Sequence, residues 1–187
     1  MQVTSTALSD VKIIVPQLFR DERGFFSETY NQRTLLAVAG IDAAFVQDNH
    51  SRSESAGVVR GLHFQKPPHA QAKLIRVLRG SIFDVAVDIR KGSPTFGQHV
   101  SIILSADNHA QAWIPIGFAH GLCTLQPGTE VLYKVTALFE PASECGIAWN
   151  DPALAIPWPI DAASVLLSEK DKTHSSLADV PVCFEFA

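Results

Sequence analysis

The sequence predicts an all-β fold, a double-sheet jelly roll with short helices near its N- and C-terminal parts. Short apolar or alternating runs recur at a spacing of about 8 to 12 residues. Gly, Pro, Asn and Asp separate them, and only one stretch carries a convincing helical pattern. A jelly roll is one of the few architectures that protects the edges of so many short strands.

The clearest strand runs from Ser81 to Arg90. Phe83, Val85, Val87 and Ile89 share one face, and Ile82, Asp84, Ala86 and Asp88 share the other, as a period of two requires. Similar runs are Val11 to Phe19, Gly24 to Tyr30, Val58 to Gln65, Lys73 to Leu78, Gln98 to Leu104, Gln111 to Ile114, Ala119 to Leu125 and Glu130 to Phe139. Breakers lie between most of them: Arg79-Gly80, Lys91-Gly92-Ser93-Pro94, Ala106-Asp107-Asn108 and Gln126-Pro127-Gly128. Asn31 to Gly40 reads as a helix, with Thr34 offering a cap, Leu35, Leu36 and Val38 the apolar positions and Gly40 the stop. A further helical turn or two is expected near Ser168 to Lys172. No repeat, low-complexity segment or linker interrupts the chain, so residues 1–187 are expected to form one domain.

Composition narrows the function classes. At 47% apolar residues, 18% charged and a net charge of -4, the chain belongs with ordinary globular proteins and offers no polyanion-binding surface. Nucleic acid is therefore not an expected partner. Cys123, Cys145 and Cys183 are odd in number and widely spaced, which indicates neither a disulfide framework nor a zinc site and suits a reducing cytoplasm. The N-terminus MQVTSTALSDVK lacks a basic segment followed by an apolar one, and no apolar run is long enough to span a bilayer. The expectation is a protein that is neither secreted nor membrane-embedded.

Three residues stand out on strands. His63 lies among apolar neighbours in Gly57-Val-Val-Arg-Gly-Leu-His-Phe-Gln; alone, such a histidine is more often structural than catalytic. Lys73 shares parity with Ile75 and Val77, so it points inward if they do, and a buried lysine commonly serves an anion or a developing oxyanion. Tyr133 shares parity with Val131 and Val135; its bland reading is a core tyrosine whose hydroxyl finds any partner. Arg60 and His63 have opposite parity and serve different faces unless Gly61 carries a bulge.

The stretch Trp113-Ile-Pro115-Ile-Gly117-Phe-Ala-His120-Gly matches the Pro-x-Gly-x-x-His element of the cupin jelly rolls, where this histidine commonly binds a metal. The companion element would supply His-x-His and a glutamate, but the comparable region here reads His69-Ala-Gln71-Ala-Lys73. Lys73 puts a positive charge where a ligand is wanted, and His63, His69 and His120 have no acidic ligand at the expected spacing. No metal and no cofactor are expected.

The resemblance becomes specific over Arg20-Asp-Glu-Arg23-Gly-Phe-Phe-Ser-Glu28, Gln47-Asp48-Asn49-His-Ser-Arg-Ser, Val59-Arg60-Gly-Leu-His63-Phe-Gln, Phe83 to Gly97, Ile114 to Gly121 and Gly146-Ile-Ala-Trp149-Asn-Asp-Pro152. Together these segments resemble the dTDP-4-dehydrorhamnose 3,5-epimerase family, from about Val11 to Asp171. The resemblance implies a cofactor-independent cupin-type homodimer. It implies a substrate, dTDP-4-keto-6-deoxy-D-glucose, inverted at C3 and C5 to give dTDP-4-keto-L-rhamnose on the way to dTDP-L-rhamnose. It implies His63 as base, oriented by Asp171, with Tyr133 as the acid on the opposite face and Lys73 steadying the enolate oxygen. Arg23, Glu28, Gln47, Asp48, Asn49, Arg60, His120, Glu144 and Lys170 match positions that hold nucleotide and sugar, Arg23 and Glu28 reaching in from a partner subunit. Where the family often stacks a tyrosine on thymine, this chain has Phe139, which keeps the π-face and loses a hydroxyl.

These residue types suit the chemistry. A proton beside a ketone becomes removable when a preorganised donor meets the growing enolate charge. Inversion then requires a base and an acid on opposite sides of the ring, and guanidinium forks match a diphosphate. Competing readings are a 3- or 5-epimerase acting on one carbon of another deoxysugar, a ketoisomerase, a metal-dependent cupin dioxygenase and a metal-free sugar-binding cupin.

Overall fold

The computed structural model describes residues 1–186. In chain order the strands are β1 (Gln2–Ser5), β2 (Lys12–Val15), β3 (Phe19–Asp21) and β4 (Gly24–Phe26), then helix α1 (Gln32–Ala39) and β5 (Gln47–Ser53). There follow β6 (Val59–Gln65), β7 (Lys73–Arg79), β8 (Ser81–Asp88), β9 (His99–Ser105), β10 (Gln111–Ile114), β11 (Phe118–Thr124), β12 (Thr129–Val135) and β13 (Glu144–Gly146). Two antiparallel sheets result: six strands in the order β1-β2-β10-β7-β12-β5, and five in the order β13-β6-β11-β8-β9. Strands β3 and β4 form a separate hairpin. This is the double-sheet jelly roll expected from the sequence.

The core lies in three layers. Between the sheets pack Ile75, Val77, Ile82, Ala86, Leu104, Ile114, Leu122 and Val131. Helix α1 covers the outer face of the six-stranded sheet, setting Leu35 and Ala39 against Ile14, Leu74 and Trp113. The C-terminal segment covers the outer face of the five-stranded sheet, where Trp158, Leu177, Val180 and Phe184 meet Leu62, Phe64, Val85, Val87 and Ile147. Both faces of β8 are thus buried, which explains why its two parities are both largely apolar. Each such aliphatic side chain contributes about 1.5–3 kcal/mol on burial.

Several boundaries differ from the sequence reading. The run Val11–Phe19 breaks at Pro16, which has no N–H for a ladder, and the run from Gly24 stops at Phe26. Asn31, not Thr34, caps α1: the Asn31 Oδ1 accepts from the Thr34 N–H at 3.2 Å, and Gly40 ends the helix at φ 66°. The expected turn near residues 168–172 is a single 3₁₀ turn, Asp171–Thr173. Strand β5 was not foreseen, because Gln-Asp-Asn-His-Ser-Arg-Ser contains no apolar residue. It is the edge strand of its sheet, and its inward side chains face a cavity rather than the core.

Candidate active site

A cavity of about 580 Å³ opens between the sheets at the β5–β12 end, a size usual for small-molecule sites. The six-stranded sheet contributes Gln47, Asn49 and Ser51 from β5, Lys73 and Ile75 from β7, and Val131 and Tyr133 from β12. Opposite them stand Arg60 and His63 from β6, His120 and Leu122 from β11, and Glu144 from β13. Phe139, Ser168, Lys170 and Asp171 close the rim.

Strand parity selects most of these side chains. Asn49 and Tyr133 are direct cross-strand partners, and Tyr133 is in turn opposite Ile75. Strand β6 departs from simple alternation. His63 pairs with His120 and Arg60 with Leu122, so three steps on β6 meet two on β11. The extra residue is a bulge at Gly61, whose φ of 115° belongs to glycine; a Cβ there would lie 2.7 Å from the His120 carbonyl oxygen and the Gly121 Cα. The bulge turns Leu62 to the outer core and brings both Arg60 and His63 to the cavity.

The His63 Nε2–H donates to Asp171 Oδ1 at 2.6 Å. The Nδ1 of His63 then has its lone pair free, with no protein hydrogen bond among the described residues. Burial lowers the proton affinity of His63, Lys73 and Lys170 lower it further, and Asp171 opposes them. A free base at neutral pH results. Burial works against the charge of Asp171, but the hydrogen bond from His63 and the nearby imidazoles hold its carboxyl below the usual range. Lys73 is buried, and desolvation brings its ammonium down to about 8, although Asp84 and Glu144 favour the charged form. Its Nζ lies 3.4 Å from the His63 carbonyl oxygen, across the gap between the sheets. Burial, helped by Glu144 and opposed by Arg60 and Lys170, raises Tyr133 above the ordinary phenol range, so it stays a proton donor.

Gln47 Nε2 donates to Asn49 Oδ1 at 2.8 Å, and the Phe139 N–H donates to Gln47 Oε1 at 2.9 Å, fixing the rim against β5. Lys170 Nζ donates to Glu144 Oε1 at 2.6 Å. Asp48, expected here, lies elsewhere, while Arg23 and Glu28, which the resemblance brings in from a partner subunit, lie outside their own chain's cavity. Asp48 has the wrong parity on β5 and pairs outside with Lys134, its cross-strand partner, at 2.8 Å. Arg23 sits exposed on the β3–β4 hairpin against Asp21, and Glu28 accepts from Asn31.

Two residues that sequence reasoning passed over are Asp84 and His174. Asp84 accepts from His120 Nε2 at 2.7 Å, is 1% exposed, and its Oδ2 has no partner among the described residues. Its inward parity beside Ile82 and Ala86 was a usable signal. His174 lies 3.4 Å from Asp171 Oδ1 with its Nε2 otherwise unpartnered.

Residues at the cupin metal positions do not suit a cation, since Gln71 and the Lys73 ammonium occupy them beside His120. His63, Asp171 and His174 offer ligand atoms within 4.8 Å of one another. Yet His63 Nε2 and Asp171 Oδ1, at 2.6 Å, are closer than the roughly 3.3 Å between two tetrahedral zinc ligands. That spacing belongs to a hydrogen bond.

Comparison with known proteins bears on the family and the fold. The profile of a family described as dTDP-4-dehydrorhamnose 3,5-epimerase matches residues 5–179. An enzyme of that name from Salmonella typhimurium is 53% identical over 178 residues, covering 90% of this chain and 97% of the relative. The crystal structure of the Legionella pneumophila dTDP-6-deoxy-D-glucose-3,5-epimerase in complex with dTDP-4-keto-L-rhamnose superposes with a TM-score of 0.94 at 45% identity, covering 100% of this chain and 98% of that one. The Bacillus anthracis dTDP-4-dehydrorhamnose 3,5-epimerase, with TDP and PPi bound, gives a TM-score of 0.90 at 52% identity over 94% of this chain and 98% of that one. With its profile matched across nearly the whole chain and a fold shared over its full length, the chain belongs to the dTDP-4-dehydrorhamnose 3,5-epimerase family, isomerases of nucleotide sugars.

Proposed function

We propose that this chain, as a single jelly-roll domain, inverts C3 and C5 of dTDP-4-keto-6-deoxy-D-glucose to give dTDP-4-keto-L-rhamnose, without metal or cofactor. The observation that carries this reading is the entry of His63 and Tyr133 into one cavity from opposite sheets, with Lys73 buried between them.

In the mechanism His63 Nδ1 removes the proton beside the C4 ketone. The C–H electron pair becomes the enolate double bond, and the carbonyl electrons move onto oxygen, where the Lys73 ammonium meets the charge. Tyr133 then delivers its phenolic proton to the opposite face, and the carbon is inverted. Because C3 and C5 both flank C4, the same groups act twice after the sugar turns. After each inversion His63 releases its proton to solvent and Tyr133 regains one, so both are reset before the second carbon reacts. Arg60 and Lys170 hold the diphosphate, Gln47, Asn49, His120 and Glu144 the sugar and nucleotide, and Phe139 stacks on thymine.

The working form is a homodimer in the cytoplasm. Phe19, Phe25 and Phe26 are exposed on the β3–β4 hairpin, which fits a hairpin laid on a partner and carrying Arg23 and Glu28 to the partner's site. Sedimentation at assay concentration should give a dimer; an active monomer would contradict this. No helix among the described residues is long and apolar enough to cross a membrane.

Proton NMR of the substrate with purified protein in heavy water, with a chelator present, tests the function. Deuterium should enter at both C3 and C5 with formation of the L-sugar. Exchange at one carbon only would identify a single-carbon epimerase, no exchange a binding protein, and loss on chelation a metal enzyme.

A further inference from the structure

His174 lies outside the machinery just described, yet it touches its centre. Asp171 opens a 3₁₀ turn and His174 follows it three residues later. Side chains at that spacing eclipse one another on a 3₁₀ turn, which stacks the imidazole over the carboxylate. His174 Nε2 is 3.4 Å from Asp171 Oδ1, the same oxygen that accepts from His63 at 2.6 Å. The His174 ring stands edge-on to the His63 ring, with centroids 5.4 Å apart at 82°. Nε2 is buried and has no hydrogen-bond partner among the described residues. A polar atom in that condition calls for an explanation.

The surrounding chain is shaped to admit the ring. Gly146 pairs with His63 across β13 and β6, and a Cβ at Gly146 would strike the His174 ring. Gly146 does not need a left-handed φ, so the room it leaves for the imidazole accounts for the glycine. The Ala148 N–H donates to the Ser175 carbonyl at 2.8 Å and holds the His174 backbone beside β13.

We propose that His174 is a positioning residue that acts through Asp171 to weaken the hold of His63 on its proton. This deepens the epimerase reading and rests on His63 being its base. As the ring stands, 3.4 Å away and outside hydrogen-bond geometry, the positive N–H edge of His174 polarises Oδ1 through space; moved closer, it would donate to that oxygen. Either way less negative charge is left for His63, and the imidazole sheds protons more readily between turnovers. The other charged groups around the pair are Lys170 and Lys172 on the same turn, Glu144 on β13, which is bonded to Lys170, and Lys73 across the cavity beyond His63.

The test is imidazole proton NMR of the substrate-free protein, following the titration of His63, beside the acidic limb of deuterium exchange. His174→Ala should raise the His63 midpoint by about 0.5 pH unit or more, and the acidic limb should move up with it. Gly146→Ala, which displaces the ring while keeping the residue, should do the same, and the double variant should add nothing. His174→Phe, which fills the slot without an N–H, should match His174→Ala, separating the charge effect from packing. A smaller rise, no rise or a fall in these variants would overturn the proposal, as would a wild-type midpoint in His174→Phe. Wild-type protein that exchanges no deuterium would overturn the epimerase reading instead, while the titration would still report on His174.

Discussion

At the scale of single residues, the proposed mechanism rests on burial shifting proton affinities: down for His63 and Lys73, up for Tyr133. His63→Asn should reduce exchange at both carbons by about 10²–10⁴-fold, since it removes the base. Asp171→Asn should cost less, because the imidazole remains while the carboxylate that supports its charged form is gone. Equal exchange in His63→Asn and wild type would remove the histidine from the mechanism. Lys73, brought from 10.5 to about 8, makes two testable statements. Exchange should fall as pH rises through about 8, when the ammonium that meets the enolate is lost. For stability the sign is opposite. A lysine with a depressed folded value opposes folding fully below about 8, and the penalty disappears as pH rises toward 10.5. The penalty at neutral pH is about 3 kcal/mol. Lys73→Met should therefore be inactive yet melt several degrees higher at pH 7, with the gain shrinking by pH 10. A lower melting temperature at pH 7 would contradict the burial argument. The inward direction of Lys73 and Tyr133 was legible from parity alone. Asp171 was not: it stands 108 residues beyond His63, and only the family resemblance connected them. His174 had no sequence signal, because its meeting with Asp171 depends on a 3₁₀ turn and on a glycine in another strand.

At the scale of elements, hydrophobic pattern located the strands whose faces meet the core and missed β5, whose inward face meets the cavity, together with the short edge strands β1 and β13. Strand β8 was legible because both its faces are buried; β5 was invisible because its inward Gln47, Asn49 and Ser51 are polar and line the cavity. Asp48 illustrates the limit of a motif: it sits between two cavity residues and points the other way. Cys123 is comparable. It follows His120 closely but faces the outer cluster with Val59 and Trp149, where burial pushes its thiol up to about 11 and makes it a poor nucleophile. The bulge in β6 is the element on which the site depends. Gly61→Ala would combine a left-handed φ with contacts at 2.7 Å to the His120 carbonyl oxygen and the Gly121 Cα. It should destabilise the fold by about 1–3 kcal/mol and disturb His63 and Arg60 together. Thermal melts and exchange rates check both effects, and a variant with wild-type values in each would show that the bulge does not set the site.

At the scale of the whole molecule, the sandwich is what makes inversion possible. A base and an acid on one strand would act on one face of a sugar ring; two sheets present the proposed pair from opposite sides, His63 on β6 and Tyr133 on β12. The space between the sheets is packed with aliphatic side chains around Ile82, Leu104 and Ile114, and polar residues gather where β5 and β13 form opposite edges. The central claim is that proton removal and proton return belong to different sheets. Tyr133→Phe, with the substrate followed by NMR in heavy water, tests it most directly. If the claim holds, deuterium enters the recovered substrate with configuration retained, because His63 returns the proton to the face it came from, while the L-sugar forms far more slowly. If exchange and inversion instead fall in the same proportion, Tyr133 is an orienting residue and the two-sheet assignment is wrong.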